Sequence, residues 1–210
     1  MFGIVGYWGF VASSILLNMT PGSDTIYVLT RSAVGGRKNG IISALGISGG
    51  ILIHSVLAAL GLSVILAKSA FAFNIVKFAG AAYLVFLGIK AIFSNKPLIR
   101  NSDEVKKVSS LQTFRQGVLT NALNPKVALF FLALLPQFVS PENTYGALPF
   151  LLLGITFFTT STVWSCFLAF IASYASRLLQ KNEKVQLWAN RGTGIIYILL
   201  GLNVLRAKLG

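Results

Sequence analysis

The chain has 210 residues, of which 55% are hydrophobic and only 11% charged, with a mean hydropathy of +0.75, a balance far from that of a soluble globular domain. These values exclude an ordinary water-soluble enzyme or binding module and point to an all-α integral membrane protein. The net charge of +13 raises nucleic acid as a partner, but a membrane protein carries Lys and Arg for orientation, and no aromatic and basic groove accompanies the charge here, so nucleic-acid binding is set aside.

At roughly 20 residues per span, the apolar runs divide into six segments. The first runs from Phe2 to Met19 and continues past an interruption to Leu29. No Lys or Arg precedes Arg31 and no small-residue cleavage site follows, so it reads as a retained span rather than a secretory signal. The interruption is "LLNMTPGSD", residues 16 to 24. The second run, Ile41 to Ala67, contains the sole histidine, His54. It also has a small-residue face at Gly46, Gly49 and Gly50, suited to close helix packing within one subunit or, as the lesser alternative, to a homodimer contact. The third run is Phe71 to Phe93. The polar stretch "SNKPLIRNSDEVKKVSSLQT", residues 94 to 113, reads as a cytoplasmic linker. The fourth run, Gly117 to Val139, carries the second interruption, "ALNPK" at 122 to 126. The fifth, Ala147 to Tyr174, holds the only cysteine, Cys166, a packing thiol that precludes an internal disulfide or a cysteine zinc cluster. The sixth is Thr193 to Leu205.

The loops after the first, third and fifth runs hold 13 of the 18 Lys and Arg. By the positive-inside rule these loops are cytoplasmic and both termini face outward across a bacterial inner membrane, with the basic excess contacting lipid headgroups. Lys126 stands apart, inside an apolar run.

The polar linker leaves three runs on either side. The first run of each half has Asn followed closely by Pro, and the third runs share a pattern, "AGAAYLVFLG" at 79 to 88 against "GTGIIYILLG" at 192 to 201. A duplicated three-span unit is an inverted repeat, which gives a first repeat at 1–93, a basic linker at 94–115 and a second repeat at 116–210. Broken helices at matched places of inverted repeats are the sequence pointer to a transporter site at the repeat interface. In lipid, a proline break is tolerated where polar groups or a wet cavity satisfy the freed backbone. Asn18 and Thr20 flank Pro21 and Gly22 at the first break; Thr120, Asn121 and Asn124 flank Pro125 at the second. The segment after each break offers unpaired N–H groups to an anion, and the freed carbonyls before it suit a cation; together they match a zwitterion.

Of the five acidic residues only Asp24 is near the membrane interior. A charge there costs on the order of 3 kcal/mol and marks a functional group with a partner. Lys126, directly after the second break, is the expected ion-pair partner. His54 reads either as a hydrogen-bonded packing residue or as a proton carrier beside Asp24.

With these motifs on hand, the chain resembles the LysE/RhtB amino-acid exporters. The resemblance runs in order through "TPGSD", "YVLTRS", "ALGISGGILIHSVLAALGL", "KFAGAAYLVFLGIKA" and "GVLTNALNPKVALFFLALLPQF". It implies a six-helix inner-membrane exporter of amino acids driven by the proton gradient. The family's Pro-Gly-Pro-Asp element falls on Pro21, Gly22, Ser23 and Asp24, with Ser23 departing from it, and its Asn-Pro-Lys element on Asn124, Pro125 and Lys126. The leading expectation is a proton antiporter for neutral amino acids of the homoserine, threonine and leucine type. Asp24 receives the ammonium or the proton, Lys126 and the half-helix N-termini hold the carboxylate, and Asn18, Thr20 and Asn124 satisfy the broken backbone. No cofactor or resident metal is expected. Export of a cationic amino acid or a metal cation is the alternative; against the metal, the membrane offers one carboxylate, one histidine and one thiol. An intramembrane enzyme is disfavoured, because His54 beside Ser48, Ser55 or Ser165 lacks an orienting third group.

Overall fold

In the computed structural model, which describes residues 2–68, 70–94, 109–181 and 183–206, the chain is all-helical with no β-strand among those residues. The elements are α1 (Tyr7–Met19), α2 (Ser23–Lys68), α3 (Ala70–Ile92), α4 (Ser110–Ala122), α5 (Pro125–Leu129), α6 (Leu148–Lys181) and α7 (Glu183–Arg206). After α5 the chain continues through a π turn, Phe130–Leu134, and a 3-10 turn, Leu135–Phe138. Residues 95–108, most of the expected linker, lie outside the described residues. The remainder of that linker differs from expectation, since Ser109 caps α4 by accepting from the Gln112 N–H at 3.2 Å and the helix begins at Ser110.

The expected loop around Arg31 to Gly40 is a tight reversal. Gly36 has φ 71° and ψ −177°, a conformation that an L side chain rarely adopts. Helical residues resume immediately after it, and the chain folds back: a β-carbon on Gly40 would collide with the Ser32 hydroxyl, and Tyr27 borders Ser43. The helical stretch α2 is therefore two helices, 23–35 and 37–68, joined at one glycine.

The outside of the bundle is apolar and the inside partly polar, the reverse of a water-soluble protein. Leu57, Leu60, Phe71, Phe93 and Val163 are more than 60% exposed, while Asn121 and Thr113 are fully buried. Ser14 and Ser55 return their hydroxyls to the carbonyl four residues earlier, at 2.8 and 2.9 Å, and one of Ser48 and Thr162 does the same while the other donates to it, which satisfies them without water. Leu148–Ala172 is long and apolar enough to cross a membrane, the stretch Ser23–Gly61 is apolar enough but reverses at Gly36, and the pair Ser110–Ala122 and Pro125–Phe138, bent by 45°, forms a further such unit. Phe78–Ile92 and Arg191–Leu202 are shorter apolar helices. These are an integral membrane protein's helices.

Small residues bring the helices together. Gly46 packs on the Phe114 carbonyl and Gly117, and Gly50 on Asn121 and Val118, so the expected small-residue face joins α2 to α4 within the subunit. Ser48 and Thr162 share a 2.7 Å hydrogen bond between α2 and α6. Gly88 of α3 packs on Gly194 and Ile198 of α7, and Gly201 of α7 on Ala81 and Val85 of α3. Phe10, Phe130, Phe131 and Phe157 interlock at the centre, with ring centroids 4.7–6.1 Å apart. Cys166 is half-buried against this core.

Gly46→Val should lower unfolding stability by about 1–3 kcal/mol through overpacking against the α4 backbone. Gly192→Ala, whose added methyl meets nothing within 4 Å, should stay within about 0.5 kcal/mol of the parent. Thermal unfolding of the purified variants in detergent checks both.

Candidate functional site

The first break follows from Pro21, which disfavours helical conformation at Thr20 and cannot donate a backbone hydrogen bond. Thr20 turns to φ −71°, ψ 124° and ends α1, its hydroxyl donating to the Leu17 carbonyl at 2.6 Å. The chain re-enters helix at Ser23, which places Asp24 in the first turn of α2, where the helix dipole favours negative charge.

The second break repeats the plan with other residues. α4 stops at Ala122, and Asn124 caps α5 by accepting from the Lys126 N–H at 3.0 Å, with Pro125 at the first helical position, which needs no donor. The Asn124 N–H meanwhile donates to the Asn121 carbonyl at 2.8 Å.

The two breaks meet. Lys126 is only 6% exposed, and its Nζ donates to the carbonyls of Leu17 and Thr20, each at 3.2 Å, the groups freed by the first break. In return the Asn121 amide donates to Asp24 Oδ2 at 3.0 Å. Each break thus supplies a side chain that satisfies the other. His54 joins from α2: its Nε2 lies 3.0 Å from the Asn121 carbonyl, which only accepts, so Nε2 carries the proton. Its ring stacks on Phe131 at 5.8 Å.

Several sequence-selected residues therefore gather at one place: Thr20, Gly22, Asp24, Asn124, Lys126 and His54. A β-carbon on Gly22 would stand 3.3 Å from Lys126 Nζ, so the glycine leaves room for that ammonium. Asn18 turns elsewhere, donating to Thr160 of α6 at 3.4 Å rather than to the broken backbone. The expected direct ion pair is absent. Asp24 and Lys126 sense each other's charge, but the ammonium is taken by two carbonyls and one carboxylate oxygen by Asn121, so they are neighbours and not hydrogen-bonded partners. The carbonyls lie within reach of the ammonium and have no water to turn to, while the Asp24 Oδ2 is already served by the Asn121 amide. Two residues join that sequence reasoning did not place in the site. Asn121 had registered only as a polar residue flanking the second break. Tyr197, buried on α7, borders Thr20 and Asp24; it lies within the matched third-run pattern, which was the available signal.

An apolar-coated helical bundle whose interior polar groups converge on two interrupted helices is the build of a membrane translocator, not of an enzyme. The chain belongs to the LysE type translocator family, whose description it matches over residues 15–208. It is 32% identical to the uncharacterized membrane protein YrhP of Bacillus subtilis, covering 96% of this chain and 98% of that protein. It is 31% identical to the homoserine/homoserine lactone efflux protein of Salmonella typhimurium, covering 96% of this chain and 97% of that one. An uncharacterized membrane protein of Pseudomonas aeruginosa, PA4757, is 29% identical over 99% of this chain and 98% of its own length. No solved structure matches.

Lys126→Met should strip the Thr20 carbonyl of its donor, at about 1–3 kcal/mol, with the Leu17 carbonyl still held by the Thr20 hydroxyl, and leave Asp24 without its neighbouring positive charge. Adding Asp24→Asn should recover part of that loss, so a double-mutant cycle read by thermal unfolding should give a coupling above about 0.5 kcal/mol. A coupling of zero would mean that the two charges act independently.

Proposed function

We propose that the chain exports neutral amino acids or their derivatives, of the homoserine, threonine and leucine type, across a bacterial inner membrane by proton antiport with alternating access. The observation that carries this reading is the mutual stitching of the two breaks: Lys126 on the Leu17 and Thr20 carbonyls, and Asn121 on Asp24. A packed structural core has no need of two interrupted helices facing each other, whereas a substrate site at the interface of two repeats does. The efflux relative named for homoserine and its lactone supports the substrate type.

In this reading the protein is two inverted three-span repeats, 1–93 and 116–210, joined by a basic cytoplasmic segment, with both termini outside. The packing of α3 on α7 is what such a two-fold relation would produce. Aligning "AGAAYLVFLG" with "GTGIIYILLG" equates Ala81 with Gly194 and Gly88 with Gly201, and the observed neighbours are Ala81 with Gly201 and Gly88 with Gly194. Each contact is the image of the other.

Asp24 takes the substrate ammonium, and Lys126 with the first turns of α2 and α5 supplies the positive potential for the carboxylate end. Thr20, Pro21, Gly22, Asn124 and Pro125 shape the cradle, and Asn18 stands behind it on Thr160 of α6. A proton and the ammonium compete for the one carboxylate, the requirement for exchanging one against the other, and His54 lies close enough to Asp24 to influence that exchange. Rocking of the repeats exposes the junction to alternate sides.

Efflux of labelled amino acids from loaded proteoliposomes under an imposed proton gradient tests this. The parent should move a neutral amino acid and stop with a protonophore. Asp24→Asn, inserted normally, should lose roughly 10- to 150-fold, the worth of a hydrogen bond to a charged group. Parental rates in Asp24→Asn would remove the carboxylate from the mechanism, and transport of a divalent metal without any amino acid would overturn the substrate assignment.

A further inference from the structure

α1 and the segment Pro125–Phe138 are fastened to each other at both ends. At the junction, Lys126 Nζ holds the Leu17 and Thr20 carbonyls that close α1. At the far end, the chain ahead of α1 pairs backbone to backbone with the chain around Val139. The Val5 N–H donates to the Phe138 carbonyl at 2.9 Å and the Ser140 N–H to the Gly3 carbonyl at 2.8 Å, which opposes Ile4 and Val139 in an antiparallel bridge. Between the two ends the contact is apolar. Phe10 meets Phe130 and Phe138 with ring centroids 5.7 and 5.4 Å apart, and Gly6 and Gly9 face the Phe138 ring.

The two sides of the bridge differ in build. Residues 140–146 form a self-bonded catch: the Asn143 N–H donates to the Ser140 carbonyl at 3.0 Å, its side-chain nitrogen to the Gly146 carbonyl at 2.8 Å, and its Oδ1 accepts from the Tyr145 N–H at 2.9 Å. A β-carbon on Gly3 would collide with the Asn143 side chain, so the opposing chain lies directly on the catch. That opposing chain is strained. Phe2, Gly3 and Gly6 have φ of 51°, 73° and 61°, and Phe2 is the one non-glycine residue with positive φ among the described residues. A bulky residue stays in that region only where its surroundings impose it, and here the ring of Phe2 is held edge-on by Tyr145 at 5.8 Å. Two hydrogen bonds that hold a strained segment bias it closed without locking it, because the net worth of each is small.

We propose that the Ile4–Val139 bridge is a clasp that closes one exit from the junction and must open in every transport cycle. The inference rests on the exporter reading, whose orientation puts the clasp on the outer face. A solute leaving the junction along α1 has to part α1 from Pro125–Phe138, and parting them breaks the bridge. The opposite exit is fastened by side chains instead: between α2 and α4 the Tyr27 hydroxyl donates to the Thr113 carbonyl at 2.7 Å and Arg31 Nη2 to Gln116 Oε1 at 2.6 Å. The two exits share no fastening, so one can open while the other stays shut, as alternating access requires.

A reversible cross-link tests the clasp. The hydrogen bonds flank Ile4 and Val139 rather than joining them, which makes them a non-hydrogen-bonded pair with Cα atoms about 4.5 Å apart, a spacing that a disulfide bridges. Cys166 is the only native cysteine, so Ile4→Cys with Val139→Cys in a Cys166→Ala background reports on this pair alone. In proteoliposomes loaded with labelled homoserine, threonine or leucine, whichever the parent moves, oxidation should cut efflux at least about tenfold and dithiothreitol should restore it. Binding of the same amino acid in nanodiscs, read by thermal stabilisation, should stay within about threefold in both redox forms, because the opposite exit still admits it. Oxidised efflux within about twofold of reduced efflux would overturn the clasp and leave amino-acid export standing. Loss of binding together with efflux would overturn it as well, since the cross-link would then act on the site and not on an exit. A parent that moves no amino acid would overturn both readings. Where the double variant does not fold, Val139→Cys alone decides: Val139 is 3% exposed, so its modification by N-ethylmaleimide should run at least about threefold faster during efflux than after a protonophore stops it, and equal rates would overturn the clasp.

Discussion

A helix interrupted inside an apolar medium frees backbone groups that must find partners within the protein. Here the partner for the first interruption comes from the second. Lys126 Nζ holds the Leu17 and Thr20 carbonyls, while Thr20 folds its own hydroxyl onto Leu17 and Asn124 closes the start of α5. Remove the lysine and the Thr20 carbonyl at the end of α1 loses its donor; remove α1 and a buried ammonium is stranded. Neither broken helix is complete alone, and the placement of α1, α2, α4 and α5 around one point follows from that dependence.

The same contact explains why opposite charges can share an interior without fusing into a lock. A buried ion pair in direct contact is costly to separate, because each ion is left uncompensated in a low dielectric. Asp24 and Lys126 instead sit in the first turns of α2 and α5, each bonded to a neutral group and each softening the other's burial from a distance. This arrangement leaves one oxygen of Asp24 unoccupied, capacity that a contact pair would have consumed.

Much of this junction was legible in the sequence because its constraints are covalent and local. Proline, glycine and Asn-Pro breaks announce themselves in an apolar run, and a lone carboxylate or lysine in such a run must face the interior. Partner identity was not legible. Sequence reasoning paired Asp24 with Lys126 on charge and on their places at the two breaks, whereas the competition is decided by backbone carbonyls, which every residue carries and no pattern reveals. Asn18 and Asn121 look equivalent on paper, each a few residues before a proline, yet one faces Thr160 of α6 and the other Asp24; helix rotation separates them, and tertiary packing sets that rotation. The reversal at Gly36 was hidden for a related reason. "GGRKNG" reads as a loop, but a single residue with positive φ suffices when small residues such as Ser32 and Gly40 allow the two helices to touch.

The bonds at the junction have the chemistry of the proposed cargo. An ammonium rests on carbonyls and an amide rests on a carboxylate, so within the proposed function the protein holds itself with the same kinds of group that a substrate would bring. A ligand able to replace such contacts offsets the cost of parting them, whereas one lacking the ammonium leaves Asp24 buried and uncompensated. By contrast, α3 and α7 meet through Gly88, Gly194 and Gly201 over Ala81, Val85 and Ile198, a smooth apolar seam with little directional bonding to give up. Sliding of α3 on α7 would therefore meet less directional resistance than parting of the polar junction, and within the proposed function the same few atoms would both bind the cargo and hold the two broken helices together.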